Sequence, residues 1–183
     1  SCSASPRARP AGTGADHTSW ARQLTALSAR FRVLTPDNRG SGRSLPPPPP
    51  EWRVADFAAE TLRFLDHVEV DRFHVAGFSF GAAIAMETAL AGRDRVISAS
   101  FHAGWAGPNP TTSAALARSL ALIENEGVPA FLEAACRRNF SRAFQDEDPA
   151  VFASFLKNVM QSATRPTVAG VRAQAVAGAL HDV

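Results

Sequence analysis

The pentapeptide Gly-Phe-Ser-Phe-Gly at residues 77–81 holds a serine between two glycines, a pattern in which the serine hydroxyl can act as a nucleophile. Residues 73–76 before it are aromatic and β-branched, which is typical of a short buried strand. Residues 82–91 after it are helix formers, with no helix breaker until Gly92. A sharp turn between a strand and a helix holds the hydroxyl clear of the backbone, and flanking glycines let the two elements cross closely. The pattern therefore predicts that Ser79 is a nucleophile; the alternative is a tight turn that needs small residues and does no chemistry.

A second motif, Asp-x-Arg-Gly-x-Gly-x-Ser, lies upstream at residues 37–44. Its glycines permit turns with positive φ, and Arg39 can tie the carbonyl groups of the loop together. We expect Asp37 and Arg39 to build the loop rather than to take part in chemistry.

Alternating strands and helices must position these motifs. Residues 31–36 and 96–102 have strand-like patterns, and residues 54–68 place their apolar side chains on one helical face. With the strand before Ser79, they predict an α/β fold: a parallel sheet of three recognisable strands with helices on both faces. From Trp105 onward no convincing strand pattern occurs. Helices are predicted there over residues 112–126, 129–144, 149–162 and 166–180.

Composition excludes several classes of function. The net charge is +2 and the basic residues are scattered, so nucleic-acid binding is unsupported. No run approaches 18 apolar residues, so no membrane span is expected, and the first residues lack the apolar core of a signal peptide. Two cysteines, Cys2 and Cys136, form no disulfide framework, which favours a reducing, cytoplasmic location. No metal-ligand spacing and no nucleotide-binding motif occurs, so neither a metal nor a cofactor is expected.

The two motifs together resemble the α/β-hydrolase superfamily, and within it the small esterases, enol-lactonases, C–C bond hydrolases and serine perhydrolases. The resemblance implies a small-molecule substrate whose carbonyl carbon is attacked by a serine after a histidine removes its proton. An acid orients that histidine, and two backbone amides bind the developing oxyanion. Carried onto this sequence, Ser79 matches the nucleophile, Phe80 the first amide donor, and Thr13 a candidate second donor.

The resemblance also implies a division of the chain. Residues 1–14 are expected to be unstructured or non-native, residues 15–104 to form a partial α/β-hydrolase core, and residues 105–183 to form a helical cap. Phe78, His102 and Trp105 are candidate lining residues of the substrate cleft.

Three departures from the family pattern stand out. Residues 6–10, Pro-Arg-Ala-Arg-Pro, stand where the central apolar strand is expected, and Ala11 replaces the histidine of the oxyanion loop. The acid and the histidine expected late in the chain are missing. His181, followed by Asp182, is a weak substitute because no strand precedes it.

We therefore expect a fragment that is inactive or crippled as a hydrolase of esters, lactones or similar carbonyl compounds. The alternative is a non-catalytic module that binds at most a small apolar ligand. The sequence does not determine whether the serine would catalyse hydrolysis, acyl transfer or perhydrolysis. It also leaves the identity of the substrate and the oligomeric state open.

Overall fold

Four parallel strands form one sheet in the computed structural model, which describes residues 5–161 and 166–183. The strands are β1 (Arg7–Ala8), β2 (Val33–Leu34), β3 (Phe73–Phe78) and β4 (Val96–His102). They lie in the order β2-β1-β3-β4. Because all four are parallel, their carboxyl ends meet along one edge of the sheet, where α/β proteins place functional groups. The α/β class is confirmed, with four strands instead of the three expected.

Eight α-helices and a 3₁₀ helix at His17–Trp20 accompany the sheet in the described ranges. The α-helices are α1 (Ala21–Ser28), α2 (Val54–His67), α3 (Phe80–Ala91), α4 (Pro110–Asn125), α5 (Gly127–Asn139), α6 (Arg142–Glu147), α7 (Pro149–Met160) and α8 (Val168–Ala179). Among the described residues, none of these helices is both long and apolar enough to cross a bilayer.

Helix α2 forms where the spacing of apolar residues predicted an amphipathic helix. The Arg53 amide donates to the Asp56 carboxylate at 2.7 Å, which satisfies one group at the helix start. The buried residues of α2 share one face: Val54, Phe57, Ala58, Thr61 and Leu65. They pack against α3 and the sheet, so α2 and α3 form one layer over β1, β3 and β4.

Strand β1 corrects the expectation that residues 1–14 are unstructured and that the centre of the sheet has no occupant; residues 1–4 lie outside the described part. The prolines are compatible with this position because they only need to accept hydrogen bonds there. Pro6 accepts a hydrogen bond from the His74 amide at 2.8 Å. The amides of Arg7 and Arg9 donate on the other side, each at 2.9 Å, to the segment that contains β2.

The two arginines of this segment are held by aromatic rings. Ala8 fills the buried side of the strand and is fully buried. The Arg7 guanidinium lies 3.7 Å from the centre of the Phe31 ring, and that of Arg9 lies 4.5 Å from the centre of the Trp20 ring. Burial lowers the pKa of Arg9, and the neighbouring charge of Arg7 adds to this effect. Cation–π contacts and long aliphatic stems therefore let a short basic segment occupy the central strand.

Helices α4 to α8 form the segment expected to be a cap, and no strand occurs within its described residues. The predicted helix over residues 129–144 is two helices, α5 and α6. The chain is extended at Phe140, and the Ser141 hydroxyl accepts the Phe144 amide at 3.1 Å, as a capping serine does at a new helix. Phe140 packs against Phe152 and Phe155 as well as Phe144, which holds the break in place.

Candidate active site

Ser79 occupies the turn between β3 and α3 in a strained backbone conformation. Its φ is 55° and its ψ is −122°, which costs a residue other than glycine about 1–3 kcal/mol. The Ser79 amide donates to the carbonyl of His102 at 2.9 Å, and its own carbonyl accepts the Ala82 amide at 2.8 Å. These bonds fix the turn between the end of β4 and the start of α3. The serine side chain is half-buried at the carboxyl edge of the sheet.

The loop at residues 11–14, which is expected to carry an oxyanion donor and is called the oxyanion loop below, runs beside this turn. A Cβ atom placed on Gly12 would lie 3.5 Å from Ser79 Cβ, so the loop contacts the serine directly. Gly14 has φ +68°, and a Cβ atom there would lie 2.9 Å from the Phe131 ring. Glycine is needed at Gly14 for both reasons.

Two backbone amides beside the serine have no hydrogen-bond acceptor among the described residues: those of Phe80 and Thr13. Phe80 is the first residue of α3, where the helix dipole and the free N–H groups favour a negative charge. Both residues were predicted as oxyanion donors, and the structure brings their loops together at Ser79. Free amides in this position can stabilise an oxyanion.

Charged side chains connect the loop at residues 37–44 to His17 of the 3₁₀ helix and to α2. The Asp37 carboxylate, 5 % exposed, accepts the His17 amide at 2.7 Å and the Arg43 amide at 3.0 Å. Burial alone would raise the pKa of Asp37, but the hydrogen bonds from Arg43 and His17 outweigh it and lower the pKa. Arg39 donates to the Glu60 carboxylate of α2 at 2.5 and 3.0 Å. These contacts agree with the architectural role expected of Asp37 and Arg39.

Two buried side-chain amides join the loops to each other. Asn38 donates to the Ala11 carbonyl at 2.7 Å. Gln174 of α8 accepts the Gly14 amide at 2.8 Å through Oε1. Sequence reasoning missed Gln174, although one amide side chain between Ala173 and Ala175 in an apolar helix was a usable signal.

The candidate lining residues lie in different surroundings. Phe78 and His102 are exposed and pair with each other at the ends of β3 and β4. Phe78 directly precedes Ser79 in the chain. Trp105 is half-buried: its indole N–H donates to the Gly178 carbonyl at 2.9 Å, and its ring packs on the cluster that contains Phe80. The role of these three residues in substrate binding stays a prediction.

No histidine ring bonds to the Ser79 hydroxyl in residues 5–161 and 166–183. The Ser79 hydroxyl itself has no hydrogen-bond partner in that part of the chain. His181 is 3 % exposed, with Nδ1 3.6 Å from the Glu87 carboxylate and Nε2 without a partner. Two other rings have partners elsewhere: His17 bonds Asp37, and His74 bonds Ser98. Nor does any group of three metal-ligating side chains occur in the described part.

Comparison with known proteins agrees with this geometry. Residues 10–147 match the family model described as the alpha/beta hydrolase fold. A protein of Caulobacter sp. (strain K31) named "Putative carbamate hydrolase RutD" is 33% identical over 124 residues, which are 68% of this chain and 46% of that relative. The chain therefore spans less than half the length of this curated relative.

Solved structures give the same fold. A hydrolase from Pseudomonas aeruginosa PA01 superposes with a TM-score of 0.81 at 25% identity, over 100% of this chain and 66% of the other. The enol-lactonase from Burkholderia xenovorans LB400 superposes with a TM-score of 0.83 at 24% identity, over 98% of this chain and 66% of the other. The chain belongs to the α/β-hydrolase family.

Proposed function

We propose that Ser79 is the nucleophile of a hydrolase that acts on a small molecule containing an ester, a lactone or a similar carbonyl group. One observation carries the proposal: Ser79 has a strained positive φ, and the adjacent Phe80 amide lacks an acceptor among the described residues. A turn without chemistry would be better served by glycine at this conformation.

The chemistry follows from the positions of these groups. The Ser79 oxygen attacks the carbonyl carbon and forms a C–O bond, while the π electrons of the carbonyl move to its oxygen. The amides of Phe80 and Thr13 donate to that oxyanion. As Ser79 attacks, its hydroxyl proton passes to water or to an added base, and collapse of the tetrahedral species expels the leaving group, which takes up a proton from the same source. The acyl-serine that remains is hydrolysed by water, which releases the acid and restores the Ser79 hydroxyl.

Proton removal from Ser79 is the weak step in this chain. Because no histidine ring contacts its hydroxyl in the described ranges, we expect acylation to be slow, by orders of magnitude relative to a complete triad. We therefore propose that the chain by itself is crippled as an enzyme.

The names of the relatives support the class of substrate. The curated relative is named for carbamate hydrolysis and one solved structure is an enol-lactonase, and both names describe attack on an acyl carbon. Hydrolysis is therefore the reaction we propose, ahead of acyl transfer or perhydrolysis on the same serine.

Labelling with a fluorophosphonate tests the proposal. The folded protein should acquire one phosphonyl group on Ser79, detected by peptide mass spectrometry, and the Ser79→Ala variant should acquire none. Added imidazole should accelerate labelling of the wild type, since it can replace the absent base. Absence of any adduct on folded protein, even with imidazole at pH 9, would favour the inert module that binds at most a small apolar ligand.

A further inference from the structure

We propose that Gln174 is a positioning residue that fixes the oxyanion loop, with Thr13 in place to donate its amide. The inference rests on the proposed function of Ser79. Gln174 is fully buried and makes three hydrogen bonds to two separate loops. Its Oε1 accepts the Gly14 amide at 2.8 Å, and its Nε2 donates to the Arg39 carbonyl at 2.9 Å and the Ser41 hydroxyl at 3.0 Å.

The orientation of this side chain is determined by its partners. A flipped amide would place NH₂ against the Gly14 N–H and oxygen against the Arg39 carbonyl, which would lose both bonds. A buried amide without partners is costly, by about 1–3 kcal/mol in proteins. Gln174 can therefore satisfy its polar atoms only when both loops hold their present positions.

The oxyanion loop is held on both sides of Thr13. On the upstream side, Asn38 donates to the Ala11 carbonyl at 2.7 Å. On the downstream side, Gln174 occupies the Gly14 amide. The Thr13 amide between them has no acceptor in the described part of the chain. The two side-chain amides thus fix the loop while its donor stays available.

Close packing of α8 against both loops holds Gln174 in position. The backbone of Gly170 lies against Gly40, and a Cβ atom on Gly170 would overlap the Gly40 carbonyl. Val171 packs on the other side, where a Cβ atom on Gly14 would lie 3.1 Å from its Cγ2. The part of helix α8 from Gly170 to Gln174 therefore contacts both loops and brings Gln174 between them. Because oxyanion donors act only at the correct distance, a small shift of the loop weakens them.

The test is the rate of Ser79 labelling in Gln174→Met, which keeps the length of the side chain and removes its hydrogen bonds. The maximal rate constant of phosphonylation should fall about tenfold or more, since loss of a whole oxyanion donor costs about 10²–10³. The apparent binding constant of the reagent should change little. Thr88→Val is the matched control, because it removes a buried hydrogen bond in a different helix, α3: that from Thr88 Oγ1 to the Ile84 carbonyl at 2.7 Å. If folded Gln174→Met is labelled with the same rate constant as the wild type, the inference is overturned.

Amide hydrogen exchange of Gly14 gives a readout that needs no activity. Exchange at Gly14 should accelerate in Gln174→Met and not in Thr88→Val. If the wild type is never labelled, the proposed function fails. The exchange rate of the Gly14 amide still decides whether Gln174 fixes the loop, because unchanged protection of that amide in Gln174→Met overturns the inference. If Gln174→Met does not fold, the milder Ser41→Ala should slow labelling about threefold and loosen Gly14, since it removes one of the three bonds. An unchanged rate and unchanged exchange in that variant would overturn the inference.

Discussion

Gly77 and Gly81 face each other in backbone contact across the turn that carries Ser79. A Cβ atom on Gly77 would overlap the Gly81 carbonyl and lie 2.6 Å from the Ala82 nitrogen. A Cβ atom on Gly81 would overlap the Pro10 carbonyl on its other side. These neighbouring atoms belong to the backbone of α3 and of residues 10–11, so they have little freedom to move. Strand β3, helix α3 and the start of the oxyanion loop thus approach one another as closely as backbone allows.

Gly77→Ala and Gly81→Ala should each destabilise the fold by about 3 kcal/mol or more, because the added methyl has no space and no flexible neighbour to displace. Urea unfolding followed by circular dichroism measures the loss. Gly107→Ala is the control, since the nearest atom to its Cβ would be the Asp182 carboxylate oxygen at 3.0 Å, on a side chain that can turn away. If Gly77→Ala unfolds at the same urea concentration as Gly107→Ala, the close contact does not exist.

Ser79→Gly should be more stable than Ser79→Ala by about 1 kcal/mol. Both variants lose the hydroxyl, but only glycine adopts φ 55° and ψ −122° without strain. Thermal unfolding of the two variants under the same conditions gives the comparison. Equal stability would mean that the turn stores no strain and that its serine is not held against a local preference.

Asp37→Asn should destabilise the protein by about 1–3 kcal/mol at neutral pH. The amide that replaces one carboxylate oxygen cannot accept the backbone hydrogen bonds of His17 and Arg43 together. Because the pKa of Asp37 is lowered in the fold, its contribution is complete above the ordinary value of 3.8 and is lost as the pH falls through the folded pKa. Urea unfolding at pH 7 measures the loss. Asp94→Asn changes an exposed side chain that makes no hydrogen bond or ion pair among the described residues, so it should cause no loss. An equal result for both variants contradicts the role of Asp37.

The stability of the protein should fall as the pH drops below about 6.5, partly because of His181. Burial lowers the pKa of His181 from 6.5, and the carboxylates of Glu87 and Asp182 offset only part of this effect. The unfolded chain therefore binds a proton before the folded protein does, and stability is lost as the pH falls through the folded pKa. His181→Phe should lose less free energy of unfolding between pH 7.5 and 5 than the wild type. If the free energy of unfolding of His181→Phe changes with pH as steeply as that of the wild type, the prediction is refuted.

The turn at residues 77–81 and helix α2 could be predicted because their sequence signals are local. Residues 77–81 place a serine two positions from a glycine on each side, directly after an apolar strand, and α2 has apolar side chains at helical spacing. In both cases the neighbours in sequence are also the neighbours that determine the backbone.

Strand β1 could not be predicted, because its stability comes from distant partners. Two prolines and two arginines in residues 6–10 disfavour a central strand by composition. The hydrogen bonds to His74 and to the β2 segment, and the rings of Phe31 and Trp20, make the segment fit. None of these partners is adjacent in sequence, so only the assembled sheet reveals them.

The sequence by itself determined that this chain carries a serine at a strand-to-helix turn in an α/β fold. The tertiary structure decided what surrounds that serine: the loop with Thr13, the buried Asn38, and Gln174 from a helix 160 residues after Gly14. The physical reason is the range of the interactions. Backbone conformation and side-chain period are fixed within a few residues, whereas a buried amide gains its role only when the whole chain has folded around it.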